Sequence, residues 1–483
     1  MAKERRSNCK RCGRLGESLQ KQEAELQKLQ ERIAQLEADL AKAKKNSSNS
    51  SKPPSSDIAK PKNDLQNGKQ KASGDKSAKR KRGGQPGHPR HERPPFDPSE
   101  IDRFFDYYYA GCPCCGGELE YREKLQRVLQ QIELMLQPTE ITEHRSLECF
   151  CAECDKSFVA PIPEDICRAG LVGPRLTTLI AYMKGACHCS FSTIRKFLRD
   201  IVGVKISRGQ LRKVCGKVSQ SLGPAYEELL QQLTQQAVLN VDETGHKDNG
   251  NRMWTWCFRA SLFTLFKIDP SRGSDVLLEV LGKEFNGVLG CDYFSAYRKY
   301  MRLNENVLVQ FCLAHFIRDV KFLVKHPNKQ NRAYGEGVLE AVRQMFQVIH
   351  RREELSDEEF KTALNDASGK LTYRVIWEVP QTSEAHNLAN RFQQHGDSYL
   401  QFVTTPGIEP TNNLAEQAIR FVVIDRHITQ GSRSEAGQRW LERIWTTIAT
   451  CTQQGRSVFD FLCESVTAYL QHRTGPSLAP NTS

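Results

Sequence analysis

Asp242, Asp292 and Glu416 are the residues of this 483-residue chain whose type and setting point to chemistry. Asp242 closes the apolar run Val238-Leu239-Asn240-Val241, which reads as a buried strand emptying into a polar turn through Glu243 and Thr244. Asp292 closes a second such run, residues 287–292, and Glu416 enters a helix behind Pro410-Thr411-Asn412-Asn413. Three carboxylates converging from distant stretches suit hard, oxygen-seeking cations such as Mg²⁺ or Mn²⁺, and a pair of those ions suits phosphoryl transfer. Each acid also has a structural reading. Asp242 and Asp292 can cap helices that follow strands, and the spacing from Asn413 to Glu416 resembles a capping box. Glu243, Glu409 and Asp425 are the substitutes if one assignment is wrong.

The elements that must position these acids follow from hydrophobic pattern. Residues 253–258 and 262–268 read as two β-rich runs. Residues 274–281 read as a short helix with Ser274 as its cap, and 287–292 as another strand. The order strand, strand, strand, helix, strand is that of a ribonuclease-H-like core, in which the strand ends bearing Asp242 and Asp292 lie side by side. A fifth strand, from Val307, runs into a basic helix carrying Cys312, His315, Arg318 and Lys321. Residues 330–402 are mainly helical and charged, a helical insertion ahead of the helix of Glu416. The expected fold class is therefore multidomain α/β: a ribonuclease-H-like core over 236–425 and a helical region over 426–475.

Upstream lie segments suited to holding nucleic acid. Leu15, Leu19, Leu26, Leu29, Ile33, Leu36 and Leu40 alternate by three and four, a leucine-zipper coiled coil over 13–45 that implies a homo-oligomer. Cys9 and Cys12 make a lone pair with no second pair nearby. Residues 46–101, rich in Ser, Lys, Pro and Gly, form a linker that cannot bury enough surface to fold alone. Its Arg80, Lys81 and Arg82 are either a solvated charge run or phosphate contacts. Cys112 with Cys115, and Cys151 with Cys154, have the spacing of two zinc knuckles in a ribbon over 102–161; Cys114 and Cys149 are spare thiols. Over 170–235 the pattern is helical. Residues 191–201, a turn, and 208–218 read as a helix-turn-helix, with Ser207 capping the second helix and Arg208, Gln210, Arg212 and Lys213 on its face.

Composition agrees. The formal charge of +12 makes binding to a polyanion electrostatically easy. Seventeen cysteines without an export signal argue for reduced thiols and metal sites rather than disulfides, hence a cytoplasmic protein. No apolar run approaches the roughly 18 residues that a membrane span needs.

Several segments together resemble transposases of the insertion-sequence-66 family: the zipper, the Ser/Pro stretch 46–57, Gly83-Gly84-Gln85-Pro86-Gly87-His88, and the knuckle that begins at Cys112. So do Val241-Asp242-Glu243-Thr244, the Cys312/His315 pair, Thr411-Asn412-Asn413 with Glu416, and Gln430-Gly431-Ser432. The resemblance implies a bacterial, nucleoid-associated DDE transposase that cuts element ends and joins the freed 3′-OH to target DNA. Asp242, Asp292 and Glu416 would then hold two Mg²⁺ or Mn²⁺, His315 would position a phosphate, and Arg420 would pair with Glu416 or contact DNA. Structural Zn²⁺, element-end and target DNA, and accessory proteins of the same element complete the expected partners. Gln417 departs from the Arg that many relatives carry there. The rival readings are a catalytically inactive DNA-binding repressor and a metal-dependent nuclease without strand transfer.

Overall fold

The computed structural model describes residues 10–43, 95–104, 112–117, 130–131, 139–146, 148–151 and 156–480. The chain divides into one unit made of residues 1–60 and 144–483, and another made of 61–143. The basic run with Arg80, Lys81 and Arg82 lies outside the described residues, as does Cys154.

In the first unit, α1 (Lys10–Ala43) is a 34-residue helix. Leu19, Leu26, Leu29, Ile33, Leu36 and Leu40 are each more than half exposed along it. β1 (Glu148–Cys151) and β2 (Lys156–Val159) form an antiparallel hairpin. Next come α2 (Glu164–Ala169), α3 (Pro174–Gly185), α4 (Phe191–Asp200), α5 (Arg208–Ser221) and α6 (Gly223–Gln232). Helices α3 to α5 surround a small core of their own that includes Ile180, Ile194, Leu198, Leu211 and Val214. As the sequence predicts, Ser207 caps α5 by accepting from Gln210 N at 3.1 Å. Arg208, Arg212 and Lys213 stay exposed on its outer face.

The main core is a mixed five-stranded sheet. Its strands are β3 (Val238–Asp248), β4 (Asn251–Arg259), β5 (Thr264–Asp269), β6 (Val288–Cys291) and β7 (Leu308–Phe311), in the spatial order β5-β4-β3-β6-β7. β3, β4 and β5 pair antiparallel, whereas β6 and β7 run parallel to β3. β3 does not end at Asp242, as the polarity of Asp242-Glu243-Thr244 suggests. It continues to Asp248, paired throughout with β4, and turns back through Asn249 and Gly250, whose φ values are +47° and +87°. Two successive positive φ angles are what a tight hairpin turn demands, and Asn-Gly supplies them at low cost.

Edge strand β5 is closed by a helix rather than left open. α15 (Glu435–Gln453) lies against it. Thr450 Oγ1, Thr446 Oγ1 and Glu442 Oε1 accept from the backbone N–H groups of Thr264, Phe266 and Ile268 at 3.2, 3.0 and 2.7 Å. These bonds satisfy the donors that would otherwise template pairing with another chain.

The remaining elements connect or cover the sheet. α7 (Ser274–Leu281) links β5 to β6, but its cap is Gly273, and Ser274 is its first residue with a buried, unbonded hydroxyl. α8 (Ser295–Leu303) follows β6, and α9 (Leu313–Val324) follows β7. The predicted helical segment is present as α10 (Lys329–His350), α11 (Asp357–Ile376), α12 (Ser383–Tyr399) and α13 (Gln401–Thr404). α14 (Asn413–Thr429) returns to the sheet, and α16 (Val458–Leu470) packs on α3 and α5. Among the described residues no helix is long and apolar enough to cross a membrane.

Candidate active site

The register of the parallel strands brings two of the acids together. Val238, Leu239 and Asn240 pair with Val288, Leu289 and Gly290, so Asp242 falls level with Asp292 just beyond the last pair. Close approach here needs a glycine: a Cβ on Gly290 would sit 2.5 Å from Asn240 Nδ2. That space lets the Asn240 amide turn away from the sheet toward α14.

Asn412, immediately before α14, receives it. Asn240 Nδ2 donates to Asn412 Oδ1 at 3.0 Å, and Asn412 Nδ2 donates to the carbonyl of Val241 at 2.8 Å. The Asn412 backbone N–H points to Cys312 Sγ at 3.1 Å, and Leu313 N donates to the Pro410 carbonyl at 2.9 Å. The entry to α14 is thus tied both to β3 and to the junction of β7 with α9. A capping box is not formed: α14 begins at Asn413, the cap residue is Asn412, and its side chain makes no cap bond. Glu416 turns instead to Arg318 Nη2 at 3.1 Å. Arg420 is exposed one turn further on.

Electrostatics tie the three acids into one site. Burial raises Asp242 well above the usual carboxylate range, and Glu243, Asp292 and Glu416 push it further up. Asp292 is pushed up to about 7, first by burial and then by Glu243, with Glu416 adding to the effect. Asp292 Oδ1 accepts from Phe294 N at 2.8 Å. Like charges crowded into a low-dielectric place resist joint ionisation. A divalent cation relieves that repulsion, so an all-oxygen donor set of this kind fits a hard metal ion.

Of the substitute acids, Glu243 and Asp425 are engaged by other partners and Glu409 is exposed. Glu243 is buried, with one oxygen held by Arg272 (Nη2 at 2.6 Å, Nε at 2.8 Å) and the other by the hydroxyl of Tyr297. Arg272 in turn lies over the rings of Phe294 and Trp254, at 3.9 and 4.6 Å. Asp425 is bonded to His188 Nδ1 at 3.1 Å and to Trp445 Nε1 at 3.2 Å. Glu409 is exposed on the loop before α14.

His315 reaches the site from α9. Burial and the adjacent Arg318 hold it down at about 4, so the ring is neutral at pH 7. Its Nε2 lies 3.1 Å from Arg318 Nη2, which makes Nε2 the acceptor and leaves the proton on Nδ1, 3.6 Å from Glu416 Oε1. Cys312, His315 and Glu416 bring ligand atoms within 4.8 Å of one another. Of these, Cys312 Sγ accepts from Asn412 N and His315 Nε2 from Arg318, while Glu416 takes its hydrogen bond from Arg318. Sequence reasoning quoted Asn412 within a motif but gave it no role, and it missed Asn240, Arg272, Tyr297 and the grip of Arg318.

The predicted zinc ligands fall in different parts of the chain. Cys112 and Cys115 belong to the unit of residues 61–143, Cys151 lies in β1 of the other unit, and Cys154 is outside the described residues. Cys112 has the local form of a knuckle: Gly116 N donates to its carbonyl at 2.7 Å, and its own N–H donates to Gly117 O at 2.8 Å. Gly116, at φ +75°, supplies the left-handed turn. Backbone N–H groups of Cys114 and Cys115 aimed at the thiol lower the Cys112 pKa, which favours the ligating thiolate.

The family model "Transposase IS66 family" matches residues 169–439, and the chain belongs to that family. A second model, "Family of unknown function (DUF6444)", matches residues 9–94. Among curated relatives, the protein y4qI of Sinorhizobium fredii (strain NBRC 101917 / NGR234) is 23% identical over 339 residues, covering 64% of this chain and 62% of that protein. The y4hP protein of the same strain is 21% identical over 377 residues, covering 70% of this chain and 67% of its own. Both bear the name "Uncharacterized protein", and the match spans about two thirds of each.

Proposed function

We propose that this chain is a DDE transposase that cleaves the ends of a mobile element and transfers the 3′-OH ends into target DNA. The observation that supports the reading is that strand register sets Asp242, midway along β3, level with Asp292 just past the end of β6, while the Asn240–Asn412 bond ties the start of the Glu416 helix to β3 in a β5-β4-β3-β6-β7 sheet. That strand order, with its antiparallel first half and parallel second half, matches a ribonuclease-H-like core.

Asp242, Asp292 and Glu416 would hold two Mg²⁺ or Mn²⁺. Bound there, such ions lower the pKa of an attacking water or 3′-OH and stabilise the leaving oxygen. The chain's own residues do the positioning. Asn412 fixes the start of α14, Arg318 holds Glu416 with the neutral His315 beside it, and Arg272 and Tyr297 occupy the oxygens of Glu243. DNA contacts fall to Arg80, Lys81, Arg82, the α5 face of Arg208, Arg212 and Lys213, and Arg420. A structural Zn²⁺ on Cys112, Cys115, Cys151 and Cys154 would brace the ribbon, and α1 would join protomers through its exposed leucine seam.

The test is to incubate the protein with labelled element ends, a target plasmid and Mg²⁺. Joined products are expected. Cleavage without joining indicates a nuclease, and binding without either step indicates a repressor.

A further inference from the structure

The first helix after Asp292 carries cations that the carboxylate site does not employ. α8 buries Ala296, Tyr297 and Tyr300, which leaves Arg298, Lys299 and Arg302 on its outer side, and the helix contains no acid. Lys299 and Arg302 are exposed and Arg298 is half-buried. Among the described residues no carboxylate forms an ion pair with any of the three. A charged helix face is ordinarily just solvated. Here, however, Arg298 is fixed: its guanidinium lies 4.4 Å from the centre of the Tyr293 ring, and its buried Nε has no hydrogen-bond acceptor among the described residues. Tyr293 directly follows Asp292 in the chain.

A second cation converges on the same ring from α12. Arg391 lies 4.9 Å from the centre of Tyr293 and bonds Asp319 at 2.8 Å through Nη1. Its Nε and Nη2 are buried without an acceptor among the described residues. His395, 5.6 Å from Tyr293, sits in the same field: burial, then Arg298 and Arg302, depress its pKa. Among the described residues, Arg298, Arg302 and Arg391 thus gather around Tyr293 and His395, with Asp319 bonded to Arg391.

We propose that Arg298, Lys299 and Arg302 form a phosphate track that holds a DNA strand as it leaves the carboxylate site, with Arg391 and Tyr293 fixing the Arg298 end. Arg298 and Arg302 stand one helical turn apart, so they meet successive positions along a backbone. The inference rests on the transposase reading for the identity of the polyanion. It adds a binding surface separate from the arm and α5.

The test is equilibrium binding of a fluorescein-labelled single-stranded 20-mer to the full chain, by anisotropy, across a KCl series without divalent metal. The slope of log K against log salt falls by about 0.7 for each single-strand phosphate that the protein no longer neutralises. Arg298→Gln with Arg302→Gln should reduce the slope accordingly. Arg298→Lys with Arg302→Lys should retain it, and Arg343→Gln, an exposed cation on α10, should leave it unchanged. If the double Gln variant misfolds by circular dichroism, Arg302→Gln alone, at an exposed site, decides. An unchanged slope in the folded Gln variant, or an equal reduction in Arg343→Gln, overturns the track. The assay involves no catalysis. A chain that fails to join DNA ends but shows the reduced slope keeps the track and loses the transposase reading.

Discussion

Asn240 on β3 and Asn412 before α14, 172 positions apart, share a buried side-chain hydrogen bond of 3.0 Å. The bond matters because Asn412 also holds the Val241 carbonyl at 2.8 Å, next to Asp242, while Glu416 lies one turn into the helix that Asn412 begins. Distance in sequence is converted into proximity by two amides. Replacing Asn412 by Leu strands two buried partners, at about 1–3 kcal/mol each. Urea denaturation should report that loss, and strand joining should fall more than the remaining folded fraction explains. A variant of wild-type stability would mean the bond contributes nothing.

Asp242→Asn and Asp292→Asn should abolish cleavage and joining together while DNA binding persists. Glu416→Gln should do the same, because the capping role that would make it mild is absent from the structure. Gel electrophoresis of labelled ends in Mg²⁺ reads both steps. Full activity in all three variants would reject the DDE assignment.

Stability without metal should depend on pH through Asp292. Its folded pKa is raised from 3.8 to about 7, so below about pH 4 it is protonated in both states and carries no penalty. As pH climbs from there through 7, the unfolded chain ionises this carboxyl freely and the folded chain does not, and the protein loses stability. Melting temperature in EDTA should fall over that window, and Asp292→Asn should flatten the fall. Mg²⁺ should restore stability at pH 7 in the parent chain.

Arg272→Ala leaves the buried Glu243 without its counter-charge. Removing one partner of a buried pair costs about 3–5 kcal/mol. Arg272 is 37% exposed, so the lower end applies. Tyr297→Phe removes only one hydrogen bond to the same carboxylate, about 1–3 kcal/mol. Denaturant midpoints that rank the two variants the other way would contradict the pairing.

Zinc is tested by metal analysis of the purified full chain. Cys115→Ser and Cys151→Ser should each lose about one zinc relative to the parent, because a four-thiolate site seldom survives the loss of a ligand. Equal zinc in all three proteins would exclude the ribbon.

Light scattering tests α1. Leu29→Lys with Leu36→Lys puts charge into the exposed seam and should lower the mass in solution. An unchanged mass, in the chain and in the isolated helix, would remove the coiled coil.

Local pattern alone determined much of this protein. Alternating and continuous apolar runs marked all five core strands, and Ser207 marked the start of α5, because periodicity and capping depend on neighbours a few residues away. The paired knuckle spacing and the acids themselves were equally legible. The full length of β3 was not read: Asp242-Glu243-Thr244 looks like a strand end, although Asn249-Gly250 carried the signal for a hairpin beyond it. The order of elements already placed Asp242 beside Asp292 as an expectation, but only the tertiary structure decided the register that sets them level and the partners of their neighbours. Nothing in the spacing says that Glu243 is taken by Arg272 and Tyr297, or that Asn412 bonds Asn240. Those outcomes depend on strand register and on side-chain bonds between residues tens to hundreds of positions apart. Burial then sets the charge of Asp242 and Asp292, a property that no stretch of sequence holds by itself.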